Sequence, residues 1–128
     1  MNALTSIALV AIGGAAGATL RYLVAMATHH TLGTTTWPWA TLLVNWVGCL
    51  AIGLVVAGVI ERMETPMPWR LLLITGVLGG FTTYSAFAIE TVALLEGRRY
   101  ITALAYVTLT NVGCLVLTWV GVRALRLE

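Results

Sequence analysis

Gly79-Gly80-Phe81-Thr82-Thr83-Tyr84-Ser85-Ala86-Phe87 lies inside an apolar run, Leu71 to Ile89, that carries no charge and otherwise reads as a membrane span. A glycine pair followed by two threonines makes a poor helix interior. Glycine loses the most backbone entropy, and threonine crowds the preceding turn. In a span from Arg70 to Leu95 the midpoint falls at Thr82–Thr83. A helix broken at that depth frees N–H and C=O groups that lipid cannot satisfy, so such backbone persists only buried in protein or lining a polar site. The stretch is therefore read as an ion or substrate site of the broken-helix type used by transporters and channels.

Composition places the whole chain in the same class. Its 128 residues are 59% apolar and 9% charged, with a mean hydropathy of +0.94, whereas soluble domains are about 25% charged. One small all-α membrane domain, residues 1–128, is what this length accommodates. The net charge of +2 gives no basic face for nucleic acid, and Lys and Asp are absent from the sequence. Cys49 and Cys114 lie in separate apolar runs without a CxxC spacing. They read as small packing residues rather than a disulfide or metal pair.

Four spans emerge: Leu4 to Thr28, interrupted by Arg21; Trp39 to Ile60; Arg70 to Leu95; and Tyr100 to Val122. Each is near or above the roughly 20 residues that cross a bilayer. Ala16-Gly17-Ala18 resembles a signal-peptide cleavage site, but no basic residue precedes the apolar run and three more spans follow. Pro38, Pro66 and Pro68 fall between spans, and Trp37, Trp39 and Trp69 sit where interfacial rings settle. Arg62, Arg70, Arg123 and Arg126 belong to one membrane side; Arg21, Arg98 and Arg99 belong to the other. Four against three is a weak orienting signal under the positive-inside rule. Such a chain either inserts both ways, so that inverted copies pair about a two-fold axis in the membrane plane, or settles into a single topology.

Two spans carry polar stripes. Thr41, Asn45 and Cys49 recur every four residues, as do Tyr106, Thr110 and Cys114, with Asn111 alongside. Residues four apart share a helix face. Interhelical hydrogen bonding explains such stripes in many bundles. A lining of uncharged O–H and N–H donors also suits an anion, taking over part of its hydration without trapping it. Arg21 and Glu90 are the ionisable residues well inside spans. They can pair or snorkel; Arg21 can also draw anions to an entrance, and Glu90 is expected to pair or accept hydrogen bonds. Phe81, Tyr84 and Phe87 flank the break, where ring edges attract a small anion weakly; ordinary packing is the alternative. Glycines at 13, 14, 17, 48, 53, 58 and 113 suit close helix contacts. His29 and His30 are expected in a solvated first loop.

These segments together resemble the Fluc (CrcB) family of small bacterial fluoride channels. Three stretches carry the resemblance: Gly13-Gly14-Ala15-Ala16-Gly17-Ala18-Thr19-Leu20-Arg21-Tyr22, Thr41-Leu42-Leu43-Val44-Asn45-Trp46-Val47-Gly48, and the Gly79–Phe87 stretch, which is the most specific. The resemblance implies a dual-topology antiparallel homodimer in the bacterial cytoplasmic (inner) membrane. It implies two fluoride pathways, each lined by both subunits. It further implies a central, non-transported structural Na+ held by backbone carbonyls of Gly79 and Thr82. Asn45, Tyr84 and Phe87 would contact fluoride, Thr41, Tyr106 and Thr110 would form a polar track, Ser85 would be a nearby donor, and Arg21 would serve the vestibule. The activity implied is passive export of fluoride, reducing its toxicity, with no enzymatic step. The family commonly has phenylalanine and threonine where this chain has Tyr84 and Ala86, and a hydroxyl residue where it has Cys114. A small multidrug/proton exchanger is the first rival, but it needs a carboxylate in the first span, which here holds only Arg21. An accessory membrane subunit is the second, and it leaves the Gly79–Phe87 break unexplained.

Overall fold

The structure is a computed structural model that describes residues 2–33, 35–61 and 67–126. Arg62 and Pro66, used above for topology and chain breaking, lie outside the described residues. Helix α1 (Ala3–Leu32) opens with Asn2, whose side chain accepts from the Thr5 N–H at 2.8 Å, and closes at Gly33, with φ 66°. Helix α2 (Trp39–Val55) begins after Pro38 and continues as a π-helical segment, Val56–Ile60. The third span comprises α3 (Met67–Arg70), a π-helical segment (Leu71–Leu78), α4 (Gly79–Phe81) and α5 (Tyr84–Glu96). Helix α6 (Tyr100–Arg126) is the last element among the described residues.

Among the described residues, four helical stretches are long and apolar enough to cross a membrane: Ala3–Leu32, Trp39–Val59, Pro68–Glu96 and Tyr100–Arg126. All four expected spans have their counterparts, with clearly later ends for the first and the fourth and one residue more for the third. Helix α1 runs through His29 and His30, expected in a loop, because nothing stops the helical winding before Gly33 adopts the left-handed φ that L side chains avoid. Helix α6 extends past Val122 to Arg126, whose Nε donates to Glu61 Oε2 at 2.9 Å beyond the end of the second span. That contact brings the C-terminal ends of spans two and four to one side.

Glycines set the helix spacing. A Cβ on Gly13 would come within 2.5 Å of the Leu72 carbonyl oxygen, and one on Gly17 within 2.1 Å of Val77 O, so α1 lies backbone against backbone on the third span. Gly53 and Gly121 do the same for α2 and α6: a Cβ on either would sit 3.1 Å from the other's Cα. Small residues permit this approach, and in lipid the packing it allows is a main source of helix affinity. The core proper is small: Leu42, Phe87, Leu94, Ala103 and Tyr106, contributed by α2, α5 and α6. Ile7, Leu20, Ile89, Ile101 and Leu115 point outward, as expected of faces solvated by acyl chains.

Hydroxyl groups on these helices are mostly satisfied within their own turn. Thr19, Thr28 and Thr91 donate to the carbonyls of Ala15, Val24 and Phe87, each four residues back, at 2.7–2.8 Å. This back-bonding lets threonine reside in a span without an orphaned donor.

Candidate functional site

Backbone geometry changes at Thr82 (φ −77°, ψ 157°) and Thr83 (φ −151°, ψ 117°), both extended. Helical winding stops at Phe81 and resumes at Tyr84. The freed backbone groups are answered by side chains. Asn45, from α2, accepts from the Thr83 N–H at 2.8 Å and donates its Nδ2 to the Thr83 carbonyl at 3.0 Å. Thr83 Oγ1 caps the new helix by accepting from the Ala86 N–H at 3.2 Å.

Two carbonyls lose their regular partners through this exchange. In an unbroken α-helix the Thr83 N–H would bond the Gly79 carbonyl, and the Ala86 N–H would bond that of Thr82. Those N–H groups go instead to Asn45 and to Thr83 Oγ1. Backbone carbonyl oxygens without a helical partner are hard, neutral ligands, the donor type a Na+ ion accepts. Gly79 and Thr82 are the residues named above for a structural Na+, and their chemistry fits it. The Thr82 carbonyl also receives Arg21 Nη1 at 3.4 Å, a long hydrogen bond. Arg21 thus reaches the break itself. It also borders a cavity of about 330 Å³ with Tyr22, Thr41 and Thr83.

A cavity of about 420 Å³ opens beside the break, bordered by Asn45, Gly79, Thr82, Tyr84 and Thr110 among others. Five of the residues singled out from sequence therefore share one space. Thr110 is 4% exposed, and its hydroxyl has no hydrogen-bond partner. Among the described residues it shares that condition with the indole nitrogen of Trp37, which borders a separate cavity of about 490 Å³ with His29, Arg99 and Glu90. A buried donor left unbonded costs about 1–3 kcal/mol, so a hydroxyl in this position gains by any acceptor it can turn to.

Phe87, Thr41, Tyr106 and Ser85 are not on the wall of the 420 Å³ cavity; Thr41 borders the cavity of about 330 Å³ with Arg21, and Ser85 borders another with Arg21 and Thr83. The Phe87 ring, 4% exposed, lies 5.0 Å from the Tyr84 ring and 5.3 Å from the Tyr106 ring. Thr41 Oγ1 donates to Glu90 Oε1 at 2.7 Å, and the Tyr106 hydroxyl donates to Glu90 Oε2 at 2.6 Å. Glu90 thus joins α2, α5 and α6 as an acceptor, and it is not bonded to Arg21. Ser85 is exposed, with its Oγ 3.2 Å from Thr83 Oγ1. Its hydroxyl therefore belongs to the cap of α5.

Sequence reasoning placed Cys49 on the stripe with Thr41 and Asn45 and Thr83 at the middle of the span, but it assigned neither the Asn45 partner of Thr83 nor the specific partners of Glu90. The bond between Asn45 and Thr83 spans 38 positions, which no local spacing encodes. Cys49 and Cys114, read as separate packing residues, both border the 420 Å³ cavity.

Residues 8–122 match the family described as CrcB-like protein, Camphor Resistance (CrcB). A curated relative from Bordetella petrii, named Fluoride-specific ion channel FluC, is 47% identical over 115 residues, covering 90% of this chain and 87% of the relative. A relative of the same name from Chloroflexus aurantiacus is 39% identical over 119 residues, covering 93% and 94%. Another, from Neisseria meningitidis, is 42% identical over 120 residues, covering 94% of each. These relatives carry the name of an ion channel and not of an enzyme. With a family match that runs through all four spans and relatives of this similarity over nearly their full lengths, the chain belongs to the CrcB family.

Proposed function

We propose that this protein is a fluoride-selective channel through which fluoride leaves the cytoplasm passively, down its electrochemical gradient. The observation that carries the reading is the cavity of about 420 Å³ in which Asn45, Gly79, Thr82, Tyr84 and Thr110 meet beside the extended backbone of Thr82 and Thr83. Fluoride is a small, strongly hydrated anion. To enter a dry path it must exchange water for donors, and it must not be held so tightly that it stays. Neutral donors meet both demands. Asn45 has a second amide N–H beyond the one given to Thr83, and Tyr84 adds a hydroxyl and, with Phe87, ring edges of positive character. Thr41 and Tyr106 serve the ion by exchanging their hydrogen bonds to Glu90 for bonds to it. Ser85, exposed beside Thr83, is a further donor.

In this proposal the third span is a broken helix at mid-membrane depth, and the functional unit is an antiparallel homodimer of dual topology with two pathways in the cytoplasmic membrane. The weak arginine bias and the broad apolar outer faces support that arrangement. Gly79 and Thr82 would hold the structural Na+ through their freed carbonyls. The ion supplies fixed positive charge that favours an anion nearby. The channel's own donors do the rest.

Reconstitution in liposomes tests this against its rivals. Fluoride-loaded vesicles with a potassium ionophore are expected to release fluoride but not chloride, at a rate indifferent to an imposed proton gradient. Proton movement driven by a cationic drug would instead favour an exchanger, and absence of fluoride release from well-folded protein would favour an accessory subunit.

A further inference from the structure

We propose that Cys49 and Cys114 form a two-sulfur site for a divalent thiophilic cation, and that a cation bound there obstructs the fluoride pathway. The second part rests on the channel reading above; the first does not.

Helix packing brings the two thiols together. Cys49 follows Asn45 by one turn on α2, and Cys114 follows Thr110 by one turn on α6, so each extends a polar stripe that faces the same cavity. Gly113 lies under the Trp46 indole, and Gly53 lies against the Thr118 carbonyl and Gly121, so the two helices are in close approach on both sides of the sulfur pair. Thr118 Oγ1 donates to the Cys49 carbonyl at 3.1 Å, which ties α6 to α2 at this level. Both cysteine side chains are partly accessible, and both border the same cavity.

Chemistry selects the ligand. Among the described residues no group of three His, Cys, Asp or Glu side chains converges, so the cation must be content with two protein ligands, and thiolates favour soft ions. On binding, each S–H gives its proton to water as an S–metal bond forms. Two thiols and one M²⁺ become one neutral M(SR)₂ and two H⁺. Neutrality matters in a membrane interior, where an uncompensated charge is heavily penalised. A monovalent cation would leave a net negative site, which selects against it. The product sits in the cavity shared with Asn45, Tyr84 and Thr110, where it takes the space fluoride would cross.

Hg²⁺ is the probe, and the sequence helps, because the chain has just two cysteines. Purified full-length protein is titrated with HgCl₂ while remaining thiols are counted and the mass of the loaded chain is read. The expected result is one Hg²⁺ per chain consuming both thiols, retained within a single chain. Two Hg²⁺ per chain, or a mercury bridge between chains, would overturn the site. Cys49→Ala and Cys114→Ala should each surrender Hg²⁺ to a competing monothiol at least about 100-fold more readily, since the chelate is gone; equal retention also overturns it. In liposomes, Hg²⁺ is expected to stop fluoride release from the wild type, with recovery on adding a dithiol. One-to-one loading with undiminished release refutes the obstruction. Liposomes that release no fluoride before Hg²⁺ is added would instead count against the channel reading and leave the thiol count to judge the site.

Discussion

Asn45→Ala removes both hydrogen bonds that hold the backbone of Thr83, the 2.8 Å bond from its N–H and the 3.0 Å bond to its carbonyl. Asn45 is 7% exposed, so water has little access to replace it. Leaving a buried polar group unpaired costs about 1–3 kcal/mol; with two groups the loss is about 2–6 kcal/mol. One escape exists. The Thr83 N–H can return to the Gly79 carbonyl and rebuild a helical bond. That limits the loss to the lower half of the range but closes the carbonyl assigned to Na+. Asn45→Ala is therefore expected to unfold earlier in detergent and to lose any stabilisation by Na+ over K+. Asn45→Asp separates the bonds from the shape. A neutral carboxyl offers one acceptor and one O–H donor, the pair Thr83 needs. Burial raises the pKa of such a carboxyl above its unfolded value. Its stabilising contribution is thus full below the unfolded pKa and lost as pH rises through the folded one. Thermal unfolding across pH, with and without Na+, reads both effects. An Asn45→Ala protein within about 0.5 kcal/mol of wild type, the range of ordinary surface changes, together with a flat pH profile for Asn45→Asp, would refute the role given to this amide.

Phe87→Ile should cut fluoride release while leaving the protein folded, at a stability cost of about 1–3 kcal/mol for replacing a buried ring with a smaller, differently shaped side chain; undiminished release would remove that ring from the proposed pathway. Arg21→Gln should slow release more at low ionic strength than at high, because exposed charge is screened within about 10 Å at 0.1 M salt. A salt-independent loss would instead assign Arg21 to holding the Thr82 carbonyl. At the membrane surface, the hydrogen bonds from Arg126 hold the Glu61 carboxyl below the usual range. The contact is therefore fully made above the ordinary glutamate pKa and lost as pH falls through the depressed one. Carboxyl chemical shifts are expected to show the Glu61 titration moving up in Arg126→Gln, and an unmoved titration would break the assignment.

Much of the fold was legible because lipid is a demanding solvent: a helix must be long and apolar, and the four runs declare themselves. The end of α1 was not, since Thr28, His29 and His30 look like loop residues until Gly33 is recognised as the stop. The site was legible in outline for a different reason. Gly79-Gly80 followed by Thr82-Thr83 is costly in any helix, so the sequence marks where backbone groups go free. It does not mark who receives them. Asn45 finds Thr83, and Glu90 finds Thr41 and Tyr106, only after Gly13, Gly17, Gly53 and Gly121 have fixed how closely the helices meet. The same approach turns two unremarked cysteines into a pair.

Hydrogen-bond accounting then separates residues that hold the structure from those available to an ion. Thr41 and Tyr106 looked equivalent to Thr110 on the stripes, yet both donate to a carboxylate, whereas Thr110 donates to nothing. Thr19, Thr28 and Thr91 show that a threonine in a span has an easy remedy, the carbonyl one turn back. Thr110 sits in a regular helix and does not take it. In the proposed channel Thr110 is thus the hydroxyl that can turn to an ion without giving up a bond, whereas Thr41 and Tyr106 must first release Glu90.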